Sequence, residues 1–193
     1  MARPREFDIE EVLTKALDAF WLHGYDATSM SDLEEATGIA KGSLYKGYGD
    51  KKSLFTQALD SYLSQANAGL KEAATSSDTG RQALEKIFAG VIEMSTGAGV
   101  RRGCFSVNTS VELAPHDADV RNRLRKNTRQ KEKTIAGILS RGIADGSLRE
   151  SLNPEISASF VTTILNGLQV RGKLGMTEQQ ANETAAMAMA VLT

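Results

Sequence analysis

The sequence predicts an all-α protein, and three observations carry that expectation. Apolar residues recur at three- and four-residue spacings over most of the chain, and no window alternates with a period of two. The three prolines, Pro4, Pro115 and Pro154, all fall outside the long periodic segments. The expected architecture is an N-terminal three-helix helix-turn-helix unit joined to a larger C-terminal helical domain. With 193 residues, 41% of them hydrophobic and 24% charged, the chain can bury a core and is not a disordered one.

The first helix is expected from about Asp8 to Leu22, with Ile9, Val12, Leu13, Ala16, Leu17, Phe20 and Trp21 on one face and Gly24 ending it. A second, short helix starts near Thr28 and Ser29, where Asp32 three residues on completes a capping pattern. Met30, Leu33 and Ala36 form its inner side. The turn Thr37-Gly38-Ile39-Ala40 leads into a third helix, Lys41 to Tyr48, and Gly49-Asp50 breaks the chain again. A long helix follows from Lys51 to about Lys71, on the face Leu54, Phe55, Ala58, Leu59, Tyr62, Leu63, Ala66 and Leu70. After the loop at 74–80, helices are expected at about 81–95, 103–113, 117–144, 155–172 and 177–192.

Composition narrows the function. No run approaches the roughly 20 apolar residues that span a bilayer, and the first residues lack the apolar core of a signal peptide. The expectation is a soluble, cytoplasmic protein with no membrane partner. Cys104 is the one cysteine and there are two histidines, so no internal disulfide, no clustered metal site and no cofactor is expected. No Ser/His/Asp set and no glycine-rich phosphate loop is present, which argues against an enzyme. The net charge is −1, and residues 1–52 carry seven Lys/Arg against ten Asp/Glu. Phosphate contacts are local, however, and residues 41–52 hold Lys41, Lys46, Lys51 and Lys52 against Asp50 alone. Arg3 and Arg5 add a basic arm that suits a minor groove, or a plain tail.

A helix, a turn of about four residues and a second helix place the second helix in a major groove. Here that helix is Lys41-Gly42-Ser43-Leu44-Tyr45-Lys46, with Leu44 facing the core and Lys41, Ser43, Tyr45 and Lys46 outward. Lysine, tyrosine and serine at a groove edge reach phosphates or base acceptors, and Gly42 permits close backbone approach. Lys51 opens the next helix, so its charge and that helix's N–H groups point to a phosphate.

The runs Gly24-Tyr25-Asp26-Ala27-Thr28-Ser29-Met30-Ser31-Asp32-Leu33, Gly38-Ile39-Ala40-Lys41-Gly42-Ser43-Leu44-Tyr45 and Asp50-Lys51-Lys52-Ser53-Leu54 resemble the DNA-binding signature of the TetR family. The resemblance implies a homodimeric, nearly all-helical regulator, usually a repressor, that binds a palindromic double-stranded operator and is released by a small-molecule effector. It implies Ser29, Lys41, Gly42, Ser43, Tyr45, Lys46 and Lys51 as the DNA-facing set. It also divides the chain into a DNA-binding domain at 1–52 and an effector-binding and dimerisation domain at 53–193. Two positions depart from the pattern. Ala40 stands where a capping hydroxyl is common, and Gly47 where a large polar or aromatic residue often meets phosphate. Arg101-Arg102-Gly103-Cys104-Phe105, leading on to Asn108 and Glu112, resembles one subgroup of the family. Some of its members carry a cysteine there that responds to electrophiles, oxidants or metal.

The remaining readings concern the C-terminal half. Ile156, Phe160, Val161, Ile164, Leu165 and Leu168 form a wide apolar face, and Ala181, Ala185, Ala186, Ala188 and Ala190 permit close approach. A homodimer through residues 155–192, as a four-helix interface, is expected. Met176, Met187 and Met189 fit packing there better than a metal box. The run Arg121, Arg123, Arg125, Lys126, Arg129, Lys131 and Lys133 reads as a solvated face. Phe88, Val91, Met94, Cys104, Phe105, Asn108, Val111, Glu112 and Leu165 are the candidate lining of an effector pocket, each with a core reading beside it. If Gly103 opens a helix, Cys104 sits in its first turn, beside Arg101 and Arg102, where thiolate is favoured. The alternative function is a DNA-binding module without an effector, since a pocket is not a linear motif.

Overall fold

The computed structural model describes residues 8–97 and 102–193, and within them the chain forms nine α-helices and no strand. α1 spans Ile9–His23, α2 Met30–Thr37, α3 Lys41–Tyr48, α4 Lys51–Thr75, α5 Gly80–Thr96, α6 Phe105–Glu112, α7 Ala118–Ala144, α8 Pro154–Lys173 and α9 Glu178–Leu192. Most starts are set by a side chain that accepts a free N–H of the first turn: Asp8, Ser29, Asp50, Thr79, Asp117, Asn153 and Thr177. α4 runs a turn beyond the expected Lys71, because Ala73 and Ala74 prolong its packed stripe. α6 starts later than expected. Gly103 has a φ of +64°, which keeps it out of the helix and leaves Cys104 as the N-cap.

Two cores divide the interior. The first gathers Val12, Ala16, Phe20, Leu33, Leu44, Leu54, Phe55 and Leu59 from α1 to α4, and it also takes in Phe105, Leu113, Val120 and Leu124. The second joins α5, α7, α8 and α9 through Leu84, Phe88, Ile135, Leu139, Val161, Leu165, Ala181 and Leu192. α4 belongs to both, and so ties the helix-turn-helix unit to the body.

Several expected faces shift. In α2 the inner residue is Thr37 rather than Ala36, which is exposed. The Thr37 hydroxyl donates to the Leu33 carbonyl at 2.6 Å, so its burial leaves no bond unmade. Ile9 and Ala66 likewise face solvent. The apolar face of the last two helices is two faces. Val161, Leu165, Leu168, Ala181, Ala185 and Ala188 pack inside the chain's own second core. Ile156, Phe160 and Val170 of α8 and Leu174 at its C-cap, with Met187 and Val191 of α9, are exposed on the other side. Of the methionines, Met176 and Met189 are buried while Met187 is not. No helix among the described residues is long and apolar enough to cross a membrane.

Candidate DNA interface and its connection to Cys104

The helix-turn-helix is built by short-range chemistry. Ser29 Oγ accepts from the N–H groups of Ser31 and Asp32 at 3.2 Å, while Asp32 Oδ2 accepts from Ser29 N–H at 2.7 Å. Bonds from the Ser29 backbone N–H and from its hydroxyl hold the Asp32 carboxyl below its usual range. Gly38 takes a left-handed φ of +72° and reverses the chain, and α3 begins three residues later. α3 has no side-chain cap at Ala40, a difference that costs a helix about 1 kcal/mol relative to a hydroxyl. Leu44 is its one buried residue, so Lys41, Gly42, Ser43, Tyr45 and Lys46 are left exposed together. Ser29 is exposed at the start of α2. Its Oγ accepts two N–H groups of α2's first turn.

Lys51 does something else. Its Nζ donates to the carbonyls of Tyr25 and Thr28, both at 2.9 Å, and lies 4.3 Å from the centre of the Tyr25 ring. These contacts give its charge a structural role beside the expected phosphate one. Two residues inside the N-terminal unit, Tyr25 and Thr28, hold the ammonium through two carbonyls and one ring, and it clamps the α1–α2 loop onto α4. Lys52 is exposed but pairs with Asp117 at 2.6 Å. Arg3 and Arg5 lie outside the described residues.

A second connection runs through α6. At one end Phe105 enters an aromatic cluster with Trp21, Phe55 and Tyr62, at ring separations of 6.0, 5.7 and 5.6 Å. At the other, Glu112 Oε1 accepts the Asp26 N–H at 3.0 Å, in the loop that precedes α2. A Cβ on Gly24 would come 2.9 Å from that same oxygen, so the glycine makes room for the latch. Trp21 Nε1 donates to the Arg102 carbonyl at 3.2 Å, and the Arg102 guanidinium pairs with Asp18 at 2.5 Å. These bonds could not be read from spacing, because each joins residues more than 80 positions apart.

Cys104 is buried at the head of this strut. Its Sγ lies 3.3 Å from Tyr62 Oη and 3.0 Å from Ser106 Oγ. Burial pushes the Tyr62 phenol well up, with the thiol adding to the effect, so the tyrosine stays protonated and can donate to sulfur. Arg102 is engaged with Asp18, and Arg101 lies outside the described residues. Burial pushes the ammonium of Lys131 on α7 down, against the pull of Cys104 and Glu132.

The structure scatters the proposed pocket residues. Phe105, Asn108, Val111 and Glu112 line an open groove of about 430 Å³ between the end of α1, α6 and the end of α8. Phe88, Val91 and Leu165 belong to the second core instead. Met94 is 69% exposed, since α5 turns that position outward. The basic run on α7 also divides. Arg121 donates to the Ala114 carbonyl, and Arg123 pairs with Asp60 and Asp119. Arg125, Lys126, Arg129 and Lys133 are exposed, along an open depression of about 440 Å³. Lys131 faces inward, which its position foretold: it stands seven residues after buried Leu124 and four before buried Ile135.

An exposed recognition helix carried on an all-helical body defines a helix-turn-helix DNA-binding regulator. The chain belongs to the TetR family of bacterial regulatory proteins, whose N-terminal domain matches residues 12–58, while a tetracyclin repressor-like C-terminal domain matches residues 80–189. It is 30% identical to the HTH-type transcriptional repressor ComR of Escherichia coli K12, over 95% of this chain and 88% of ComR. The uncharacterized HTH-type regulator YezE of Bacillus subtilis is 32% identical over 77% of this chain and 76% of its own. Among solved structures, a cysteine-substituted form of the TetR family regulator CifR, in complex with 26-base-pair operator DNA, superposes over both full chains. Its TM-score is 0.88 and its identity 29%. Reduced Escherichia coli NemR, at 18% identity, shares the fold with a TM-score of 0.87. The family is one of transcription regulators rather than enzymes.

Proposed function

We infer that the protein is a dimeric repressor that holds a palindromic operator in the cytoplasm and releases it when its C-terminal half senses a small molecule or a thiol-reactive agent. The observation that carries this is the face of α3, where Lys41, Ser43, Tyr45 and Lys46 are exposed together and Leu44 alone anchors the helix. The operator-bound CifR neighbour and the repressor ComR support it. Residues 1–52 read the DNA, with Ser29, Lys41, Gly42, Ser43, Tyr45 and Lys46 in contact and Lys51 contributing through the loop it clamps. Residues 53–193 sense and dimerise, two chains pairing through the exposed apolar side of α8 and α9. Lys46→Ala is expected to weaken operator binding and to lower the salt dependence of log K by about one per protomer. A gel-shift titration in salt checks it, and unchanged affinity and slope would remove α3 from the groove.

Release through Cys104 follows from α6. A group added to a buried thiol at the N-cap displaces Phe105 from its aromatic seat, and an eight-residue helix conveys that movement to the Glu112–Asp26 latch. Maleimide is expected to release wild type from operator DNA and to leave Cys104→Ser bound. Equal release of the serine variant, or continued binding by fully alkylated wild type, would reduce Cys104 to packing.

A further inference from the structure

Between the start of α6 and the inner side of α8 lies a row of polar groups that DNA binding and thiol chemistry leave unused. Thr162, Asn166 and Gln169 follow one another on α8 at spacings of four and three, so they share one face. Thr162 and Gln169 are buried, Gln169 at 9% exposure, and neither Thr162 Oγ1 nor Gln169 Oε1 has a hydrogen-bond partner. Ser95 Oγ, at the end of α5, is a third such atom. Ser95 packs on α8 one turn beyond Gln169, where a Cβ on Gly172 would come 2.6 Å from its carbonyl oxygen. Native interiors seldom leave buried oxygens unpaired.

Asn166 Oδ1 accepts from Lys131 Nζ at 3.3 Å. None of the ion pairs among the described residues includes Lys131. Its ammonium is therefore a part-buried cation whose one direct partner among the described residues is a neutral amide. Buried charges are ordinarily paired. The chain before α6 closes the other side. A Cβ on Gly103 would stand 3.4 Å from the Gln169 carbonyl, and Cys104 with its neighbours Tyr62 and Ser106 follows at once.

We propose that Lys131, Asn166 and Gln169 form the recognition pole of an internal site for a small organic carboxylate. The site deepens the effector-responsive reading above and rests on it. A carboxylate supplies the counter-charge that Lys131 lacks, through a charge-assisted bond that a neutral ligand cannot match. A hydroxyl or amide N–H elsewhere on the same molecule meets Gln169 Oε1, which can only accept. Thr162 and Ser95 stand at the margins and can donate or accept. A purely hydrocarbon ligand would leave all of these groups unmatched, and a dianion would outweigh the single cation.

Matched acids and amides at equal ionic strength provide the test: benzoate with benzamide, 4-hydroxybenzoate with 4-hydroxybenzamide, and lactate with lactamide. Melting temperatures are read on the full-length protein without DNA, so the outcome does not depend on operator binding. At least one acid is expected to raise the melting temperature of wild type by 2 °C or more beyond its amide. Lys131→Met is expected to abolish that preference, and Cys104→Ser to keep it. Gln169→Glu, which keeps Lys131 in place, is expected to weaken acid binding at least tenfold by adding a competing carboxylate. Equal behaviour of every acid and its amide in wild type overturns the proposal, as does a preference that survives in Lys131→Met. An acid preference without operator release in gel shifts would instead uphold the site and sink the effector role built on it.

Discussion

Gly80→Ala is expected to lower stability by about 3 kcal/mol or more, from the overpacking of a contact with no room to give. A Cβ at Gly80 would lie 2.4 Å from Gly142 Cα and N and 2.6 Å from the Ile138 carbonyl, so it meets backbone rather than a mobile side chain. Gly142 is closed from its other side, where a Cβ would come 2.4 Å from Leu148 Cδ1. α5 and α7 therefore touch glycine on glycine, and the Gly80 N–H donates to Asp145 Oδ2 at 2.9 Å across the same junction. Thermal melts at fixed protein concentration should show a fall of roughly 6–12 °C. Gly137→Ala on the same helix is the control. Nothing lies within 4 Å of its Cβ, and the substitution should be neutral or add up to about 1 kcal/mol. Equal melting of wild type and Gly80→Ala would mean the helices part without loss.

The second large effect is on assembly. Phe160→Asp with Met187→Asp places charges on the exposed apolar side of α8 and α9, which the chain's own core does not use. The double variant should fold, run as a 20.8 kDa monomer in light scattering, and lose operator affinity by roughly a hundredfold or more as two-site binding is lost. Leu165→Asp and Ala185→Glu would be poor probes of the same interface. Both residues belong to the second core, so a charge there attacks folding first. A dimer that persists in the double variant would move the pairing surface elsewhere.

Local signals made the fold legible. The cap at Ser29, the breaks at Gly24, Gly38 and Gly49, and the apolar spacing placed every helix within a residue or two, apart from the far end of α4. α6 starts two residues late, because a left-handed glycine before a helix looks in sequence like a glycine inside it. The outward set on α3 was legible for the same reason, since it needs only Leu44 as an anchor. Lys51 was not, because its partners are carbonyls 23 and 26 residues away and carbonyls carry no residue identity. The apolar stripe of α8 misled for another reason. A helix buried on one side and apolar on two shows the same residue types on both, and only packing separates Leu165 from Phe160. Lys131 was hidden among six other cations, although its place on the Leu124–Ile135 stripe set it apart.

The shared first core has a consequence for how such a protein can diverge. Phe105, Leu113, Val120 and Leu124 complete the packing around α1 to α4, so exchanging residues 1–52 between relatives would cut through one interior and join two mismatched halves. Recombination of whole heads is thus a poor route to a new binding preference. The exposed side of α3 offers a better one. Lys41, Ser43, Tyr45 and Lys46 have no part in either core, and substitutions there leave folding almost untouched. Four solvent-facing positions can therefore drift while the aromatic cluster behind them stays constant, and recognition can change one side chain at a time without passing through an unfolded intermediate form.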